Sequence, residues 1–180
     1  MFERIQLYPR ELLSRIGRMK GEAKVIDEAD AEILQLLQDD ATLSAADIAE
    51  RTGLTEEACA ERITNLEASG VIEARVALLN PRKVGTGVTV FVAITAPEHS
   101  EEWLSRFHAA VQDFPEVVEF YRMSGAVDYL LRVVVADIDG YDAFYKKLIA
   151  ITKFRDISST FAMEQIKFTT KLPLNAIGAK

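Results

Sequence analysis

In the first half of the chain, apolar positions recur at helical spacing in three short runs. Ile33, Leu34, Leu36 and Leu37 form a stripe behind two candidate N-caps, Asp27 and Asp30, and the run ends in the polar cluster Gln38-Asp39-Asp40. Ser44, with Asp47 three residues on in the manner of a capping box, opens a second helix with Ile48 and Ala49 inward. Gly53, free to adopt the left-handed conformation, ends that helix, and Leu54 fills the corner. Thr55 caps a third helix whose inward residues, Cys59, Ile63 and Leu66, fall at i, i+4 and i+7. Gly70 stops it, and "VIEARVALLN" then alternates apolar and polar residues as an extended wing would. Three short helices with a glycine turn before the third predict a winged helix-turn-helix. The plainer alternative is a small helical bundle used for protein contacts.

After Asn80-Pro81 the period changes to two. "GVTVFVAITA" predicts a strand with Val88, Val90, Val92 and Ile94 on one face. "SEEWLSRFHAAVQDF" predicts a helix capped by Ser100, with Trp103, Phe107, Val111 and Phe114 on one stripe. "VVEFYRMS" and "DYLLRVVVA" read as a hairpin joined by a tight "GAV" connection, and "DIDGYDAFYKKLIAIT" as a helix with Tyr141, Phe144, Tyr145 and Leu148 inward. Asp137 and Asp139 suit the cap of that helix. "DISSTFAMEQIKF" completes the set as a fourth strand. The order βαββαβ predicts a ferredoxin-like domain, so the whole chain is α+β. Two helices cover one sheet face only. The other face, with Phe91 among its apolar groups, predicts a sheet-to-sheet dimer.

The expected organisation is therefore a basic extension over 1–26, a winged helix-turn-helix domain over 27–80, and a ferredoxin-like domain over 81–180. Charge follows these divisions. The net charge of −7 is uneven: residues 1–26 carry six basic and three acidic groups, and residues 81–180 carry twelve of each. Residues 27–80 carry 13 acids against Arg51, Arg62 and Arg75. The segment with the shape of a DNA reader is the most acidic part, the reverse of the usual electrostatic footprint. In the extension, "RELLSRIGRMK" is a basic segment suited to reach phosphates or a minor groove, or else a leader, and Met19 is an alternative start.

Composition removes several classes. With 49% hydrophobic residues the chain is not a disordered tail, and no apolar run approaches the ~18 residues of a membrane span. The single cysteine, Cys59, forms no internal disulfide, which fits a reducing cytosol, and its inward position makes it a small core residue. One cysteine and two isolated histidines, His99 and His108, make no metal cluster, and no triad, paired carboxylates or phosphate loop is present. The "GTG" at Gly85 to Gly87 is too short for a nucleotide fingerprint and reads as a bend into the first strand.

The combination "IDEADAEILQLLQDDATLSAADIAERTGLT", "RITNLEASGVIEARVALLNPRKVG", "VVEFYRMSGAVDYLLRVVVADIDGYDAF" and "SSTFAMEQIKFTTKLPL" resembles the Lrp/AsnC (feast/famine) transcription regulators from about Ile26 to Leu174. The resemblance implies a cytoplasmic regulator that is not an enzyme, uses no cofactor, stays off membranes, binds double-stranded DNA and forms a homodimer or higher oligomer. It also implies a small effector, commonly an amino acid. Carried onto this chain, the DNA-reading positions are Thr55, Glu57, Ala60, Glu61, Arg62 and Thr64. The effector positions are Ser124, Gly125 and Asp128, in a Gly-x-x-Asp turn, with Thr160 on the last strand. Turn amides suit a carboxylate and Asp128 an ammonium group, although Gly and Asp also occur in hairpins for turn chemistry alone.

The chain departs from the family where basic residues usually line the third helix; Glu57, Glu61, Thr64 and Asn65 stand there and only Arg62 remains. Glutamate accepts from a cytosine amino group but is repelled by flanking phosphates, which predicts weak binding per helix, strengthened by linked domains. Two alternatives follow: a member that lost autonomous DNA binding and acts as a ligand sensor or interaction partner, and an enzyme. Tetrapyrrole decarboxylases of similar architecture would need a basic, histidine-bearing pocket, which two isolated histidines fit poorly.

Overall fold

The computed structural model of the chain describes residues 26–98 and 100–174. Residues 1–25 of the basic extension and His99 lie outside the described residues. The chain divides into two compact units, one comprising residues up to Val76 together with the segment from Thr169, the other Ala77–Phe168.

Local sequence signals set the helices of the first unit. Helix α1 spans Glu28–Asp39, α2 spans Ala45–Thr52 and α3 spans Glu56–Ala68. Asp27 is the N-cap of α1, accepting from the backbone N–H of Asp30 at 2.7 Å, so Asp30 itself lies inside the first turn. Ser44 and Asp47 complete a reciprocal capping box at α2, and Thr55 caps α3 by accepting from Ala58. Each such cap contributes about 1 kcal/mol. Gly53 ends α2 at φ 74°, in the left-handed region where a Cβ would be strained. The core beneath the helices is Ile33, Leu34, Leu43, Ile48, Cys59 and Leu66, with Ile63 and Leu54 packed at its edge.

Two features of the chain beyond α3 depart from expectation. Residues 74–80 form no strand and are exposed, including Val76, Leu78 and Leu79. Their alternation fits an extended chain, but a ladder needs a partner strand, and the described residues supply none. The tail also returns to the first unit: Gln38 accepts from the N–H of Leu172 at 2.6 Å and donates to its carbonyl at 3.3 Å, Lys171 pairs with Asp39, and Leu174 packs against the core.

In the second unit, β1 spans Val88–Thr95, α4 Glu101–Gln112, β2 Val117–Arg122, β3 Tyr129–Val135, α5 Ile138–Ile151 and β4 Asp156–Phe161. The strands form one antiparallel sheet in the order β2-β3-β1-β4. Val90, Val92, Ile94, Leu131 and Val133 meet Trp103, Phe107 and Val111 of α4 and Tyr141, Phe144 and Leu148 of α5, so both helices cover one face. A bulge in β2 lets Val117 and Phe120, three residues apart, pack on this same core. Ser100 and Asp137 cap the two helices.

The fourth strand is shorter than its sequence pattern. Its pairing runs out with β1: Val90 faces Phe161, and the N–H of Ala162 reaches the carbonyl of Thr89. Because β1 begins at Val88, which this register places opposite residue 163, residues 164–168 have no neighbour to extend the ladder. The hairpin connection likewise covers Met123 to Asp128 instead of three residues, closed by Met123 N–H donating to the Asp128 carbonyl at 2.8 Å.

Candidate DNA interface and effector site

Thr55, Glu57, Ala60, Glu61 and Thr64 are all exposed on α3. Glu57, Ala60, Glu61 and Thr64 fall at i, i+3, i+4 and i+7, so they share one face. Thr64 turns its hydroxyl back to the carbonyl of Ala60 at 2.9 Å, and Thr55 is occupied as the N-cap. The face therefore presents two carboxylates and short side chains.

Arg62 differs from the other five. It is half-buried, and its Nη1 donates to both carboxylate oxygens of Asp27, at 3.0 and 2.8 Å, and to Asp30 at 2.7 Å. Asp30 is the buried charged residue of this core, at 4% exposure. Arg62, the one basic residue of α3 and an expected DNA contact, is engaged by Asp27 and Asp30 of the α1 N-terminus in this structure. The Asp30 amide at the cap and then the Arg62 guanidinium hold the Asp27 carboxyl below its usual range; Asp27 and then Asp30 raise the Arg62 guanidinium. Sequence spacing gave no sign of this cluster, since its acids lie 35 and 32 residues from Arg62.

In the second unit, Ser124 and Gly125 are exposed at the tip of the β2–β3 connection. Asp128 sits at its base and is partly buried; its carboxylate accepts from the N–H of Ala96 at 2.8 Å, just past the end of β1. Thr160 lies on the edge strand β4 opposite Phe91, on the sheet face away from the helices. Asp128 bonds to Ile94 and Ala96, so along β1 it is removed from the Phe91–Thr160 pair by about four residues, roughly 13 Å. A single protomer thus gathers Ser124, Gly125 and Asp128 in one connection and leaves Thr160 apart.

The open sheet face carries a polar network that the sequence pattern did not single out. Arg132 of β3 pairs with Glu119 of β2 at 2.6 Å, and the Tyr121 hydroxyl donates to the same carboxylate at 3.0 Å. That acceptor, chiefly, raises the Tyr121 phenol above its ordinary value. Phe91, Arg132's neighbour on β1, is 38% exposed. Elsewhere an open groove of about 670 Å³ lies among Pro97, Glu98, Trp103, Arg106, Ile149 and Lys153, and contains none of the four expected effector residues. Among the described residues no His, Cys, Asp and Glu cluster suits a metal, and no helix is long and apolar enough to cross a membrane.

Two family models match: a winged helix-turn-helix DNA-binding domain over residues 26–73 and an Lrp/AsnC ligand binding domain over residues 89–172. The glutamate uptake regulatory protein of Zymomonas mobilis is 52% identical over 149 residues, covering 83% of this chain and 91% of its own length. The crystal structure of an AsnC family transcriptional regulator from Agrobacterium tumefaciens is similar at 61% identity and a TM-score of 0.80, covering 83% of this chain and 97% of that one. A transcriptional regulator from Neisseria meningitidis, solved in complex with L-Met, is 32% identical with a TM-score of 0.79 and the same coverage. With reading helix, sheet and both domain models in agreement, this chain belongs to the Lrp/AsnC family of transcriptional regulators.

Proposed function

We propose that the protein is an effector-responsive transcription regulator that meets duplex DNA through the exposed face of α3 and works as a homo-oligomer. The observation that carries this reading is the α3 face itself: Glu57, Ala60, Glu61 and Thr64 lie exposed on one side of a helix capped as helix-turn-helix readers are. Without a free cation on that face, each module binds weakly, and assembly supplies the affinity through effective concentration. The open sheet face, with Phe91 at its centre, is the surface through which two copies meet. The first unit acts as the reading domain, with the segment from Thr169 packed on it, and Ala77–Phe168 acts as the effector and oligomerisation domain. The protein acts in the cytoplasm and catalyses no reaction.

The effector in this reading is an amino acid held at the Ser124–Asp128 connection, its carboxylate on the turn amides and its ammonium beside Asp128. The L-Met complex of the Neisseria relative supports that ligand class. Thr160 joins the site only from a second copy, since it is distant within one protomer. A second reading, a sensor that has lost autonomous DNA binding, is favoured by the engagement of Arg62 with Asp27 and Asp30. Genomic DNA selection with the purified full chain, with and without a panel of amino acids, separates the two. Enrichment of defined fragments supports the regulator; none at low salt supports the sensor.

A further inference from the structure

Asp27 performs two tasks with one carboxylate. Its Oδ1 accepts from the N–H of Asp30 to cap α1, and both of its oxygens receive Nη1 of Arg62 from α3. Asp30, one turn in, adds a second acceptor for the same guanidinium, and its side chain is only 5% exposed. A buried carboxylate needs a partner, and Arg62 brings one across from the reading helix. Arg62 thus joins α3 to the first turn of α1 by charged hydrogen bonds, while Ile33, Leu34, Cys59 and Leu66 pack below. Apolar packing tolerates small rotations of one helix on another; charge-assisted hydrogen bonds at 2.7–3.0 Å are directional and do not.

We propose that Arg62 is a positioning residue of the DNA-reading helix, setting the angle of α3 on α1, and not a phosphate contact. This rests on the proposed reading of α3 as the DNA-facing helix. The cation of α3 is spent inside the domain, and the adjoining face, with Glu57 and Glu61, contributes no positive charge of its own. Orientation then governs how well that face fits a groove, so the clamp affects the preferred sequence more than random DNA.

The test uses the full chain, one selected duplex and one random duplex. Asp27→Asn keeps a capping acceptor and removes a negative charge; Arg62→Lys keeps the positive charge and loses the planar fork. Positioning predicts that each weakens the selected duplex by about tenfold, the scale of one charged hydrogen bond, with a smaller effect on random DNA. The salt dependence stays at the wild-type slope. A phosphate contact predicts the opposite pattern: Arg62→Ala lowers the slope by about 0.9, and Asp27→Asn tightens all DNA by freeing a cation. That pattern overturns the proposal. A DNA-free arm measures the distance between spin labels at the exposed positions Gln35 on α1 and Ala60 on α3, with buried Cys59 left in place. The distribution shifts or broadens in Asp27→Asn and Arg62→Lys if the clamp sets the angle, and an unchanged distribution overturns it. This arm reads out even if the wild-type chain binds no DNA, a result that would sink the DNA-binding reading instead.

Discussion

The carboxylate of Asp128 accepts a hydrogen bond from the backbone N–H of Ala96 at 2.8 Å, and its own N–H donates to the carbonyl of Ile94 at 3.0 Å. One residue therefore ties the β2–β3 connection to the end of β1 by side chain and backbone together. An ammonium group arriving at this carboxylate would meet an acceptor already oriented by the fold. The structural role of Asp128 is therefore compatible with the proposed ligand role.

The structural bond changes what a substitution reports about the proposed site. Asp128→Ala should lose effector binding and also lower the stability of the second domain by about 1 kcal/mol, because the Ala96 N–H loses its partner. Asp128→Asn keeps an acceptor oxygen and should separate the effects, retaining most of the stability while weakening an amino acid that relies on the negative charge. Thermal unfolding paired with calorimetry on methionine and other amino acids checks this. Equal loss of stability in both variants would show that the carboxylate charge, not its geometry, holds the connection.

The open sheet face gives a second expectation. Phe91 lies opposite Arg132 on one side and Thr160 on the other. Phe91→Lys places a second cation beside Arg132 in the surface proposed to meet another copy. Burying like charges there is costly, so light scattering should give at least a dimer for the wild type and a lower mass for the variant. A monomeric wild type at micromolar concentration would contradict sheet-to-sheet assembly.

Much of this architecture was legible because its signals are local. Ser44 and Asp47 form their capping box across three residues, and the α4 stripe of Trp103, Phe107 and Val111 repeats within one element. What escaped depends on partners distant in sequence. Residues 164–168 read as the end of a strand, yet β1 begins too late to pair with them. Arg62 reads as a DNA contact in the sequence, and its pairing with Asp27 and Asp30 appears only once α1 and α3 are packed together. In the candidate effector site, the turn was visible as Gly-x-x-Asp, whereas the bond from Asp128 to Ala96 spans 32 residues and the separation of Thr160 follows from strand order. The Glu119–Arg132 pair likewise appears only once β2 and β3 are in register.

The tail contact predicts a stability effect confined to the first unit. Gln38 makes two hydrogen bonds with the backbone of Leu172, and Leu174 packs against the α1–α3 core. Gln38→Ala should cost that unit about 1 kcal/mol and speed hydrogen exchange at the Leu172 amide, leaving β1 and β3 amides protected as before. Exchange mass spectrometry on the intact oligomer distinguishes this from a global loss.

Acid should act on the two domains in different windows. In the first, the cap bond from Asp30 and then Arg62 lower the Asp27 carboxyl, and the Ser44 hydroxyl lowers Asp47. A carboxyl lowered on folding stabilises above its ordinary value of 3.8 and loses that contribution as pH falls toward its folded value. His108 behaves differently: burial first, then Arg122, lowers it below 6.5. The unfolded chain then binds more protons, so the second domain should begin losing stability as pH falls through 6.5. His108→Phe, beside Phe107, Phe120 and Tyr129, should flatten that early slope. Thermal unfolding from pH 7.5 to 3 checks both windows.

The reading face sets the final expectation. Glu57 and Glu61 are exposed one turn apart on α3, and no cation on that helix is free to offset them. At an effective dielectric near 80 and roughly 7 Å from a phosphate, each repulsion is about 0.6 kcal/mol before screening. Replacing both by Gln should therefore tighten random duplex only several-fold, and less at high salt, where screening removes most of the difference. A Glu that accepts from a cytosine amino group behaves otherwise. Its replacement weakens one selected site while random DNA still binds more tightly, because the base contact is lost and the phosphate repulsion is relieved. Titrations of selected and random duplexes at two salt concentrations tell these apart for each Glu singly. If the double variant gains nothing at low salt, the α3 face does not lie against the duplex, and the acidic helix has kept the form of a reader without its contact.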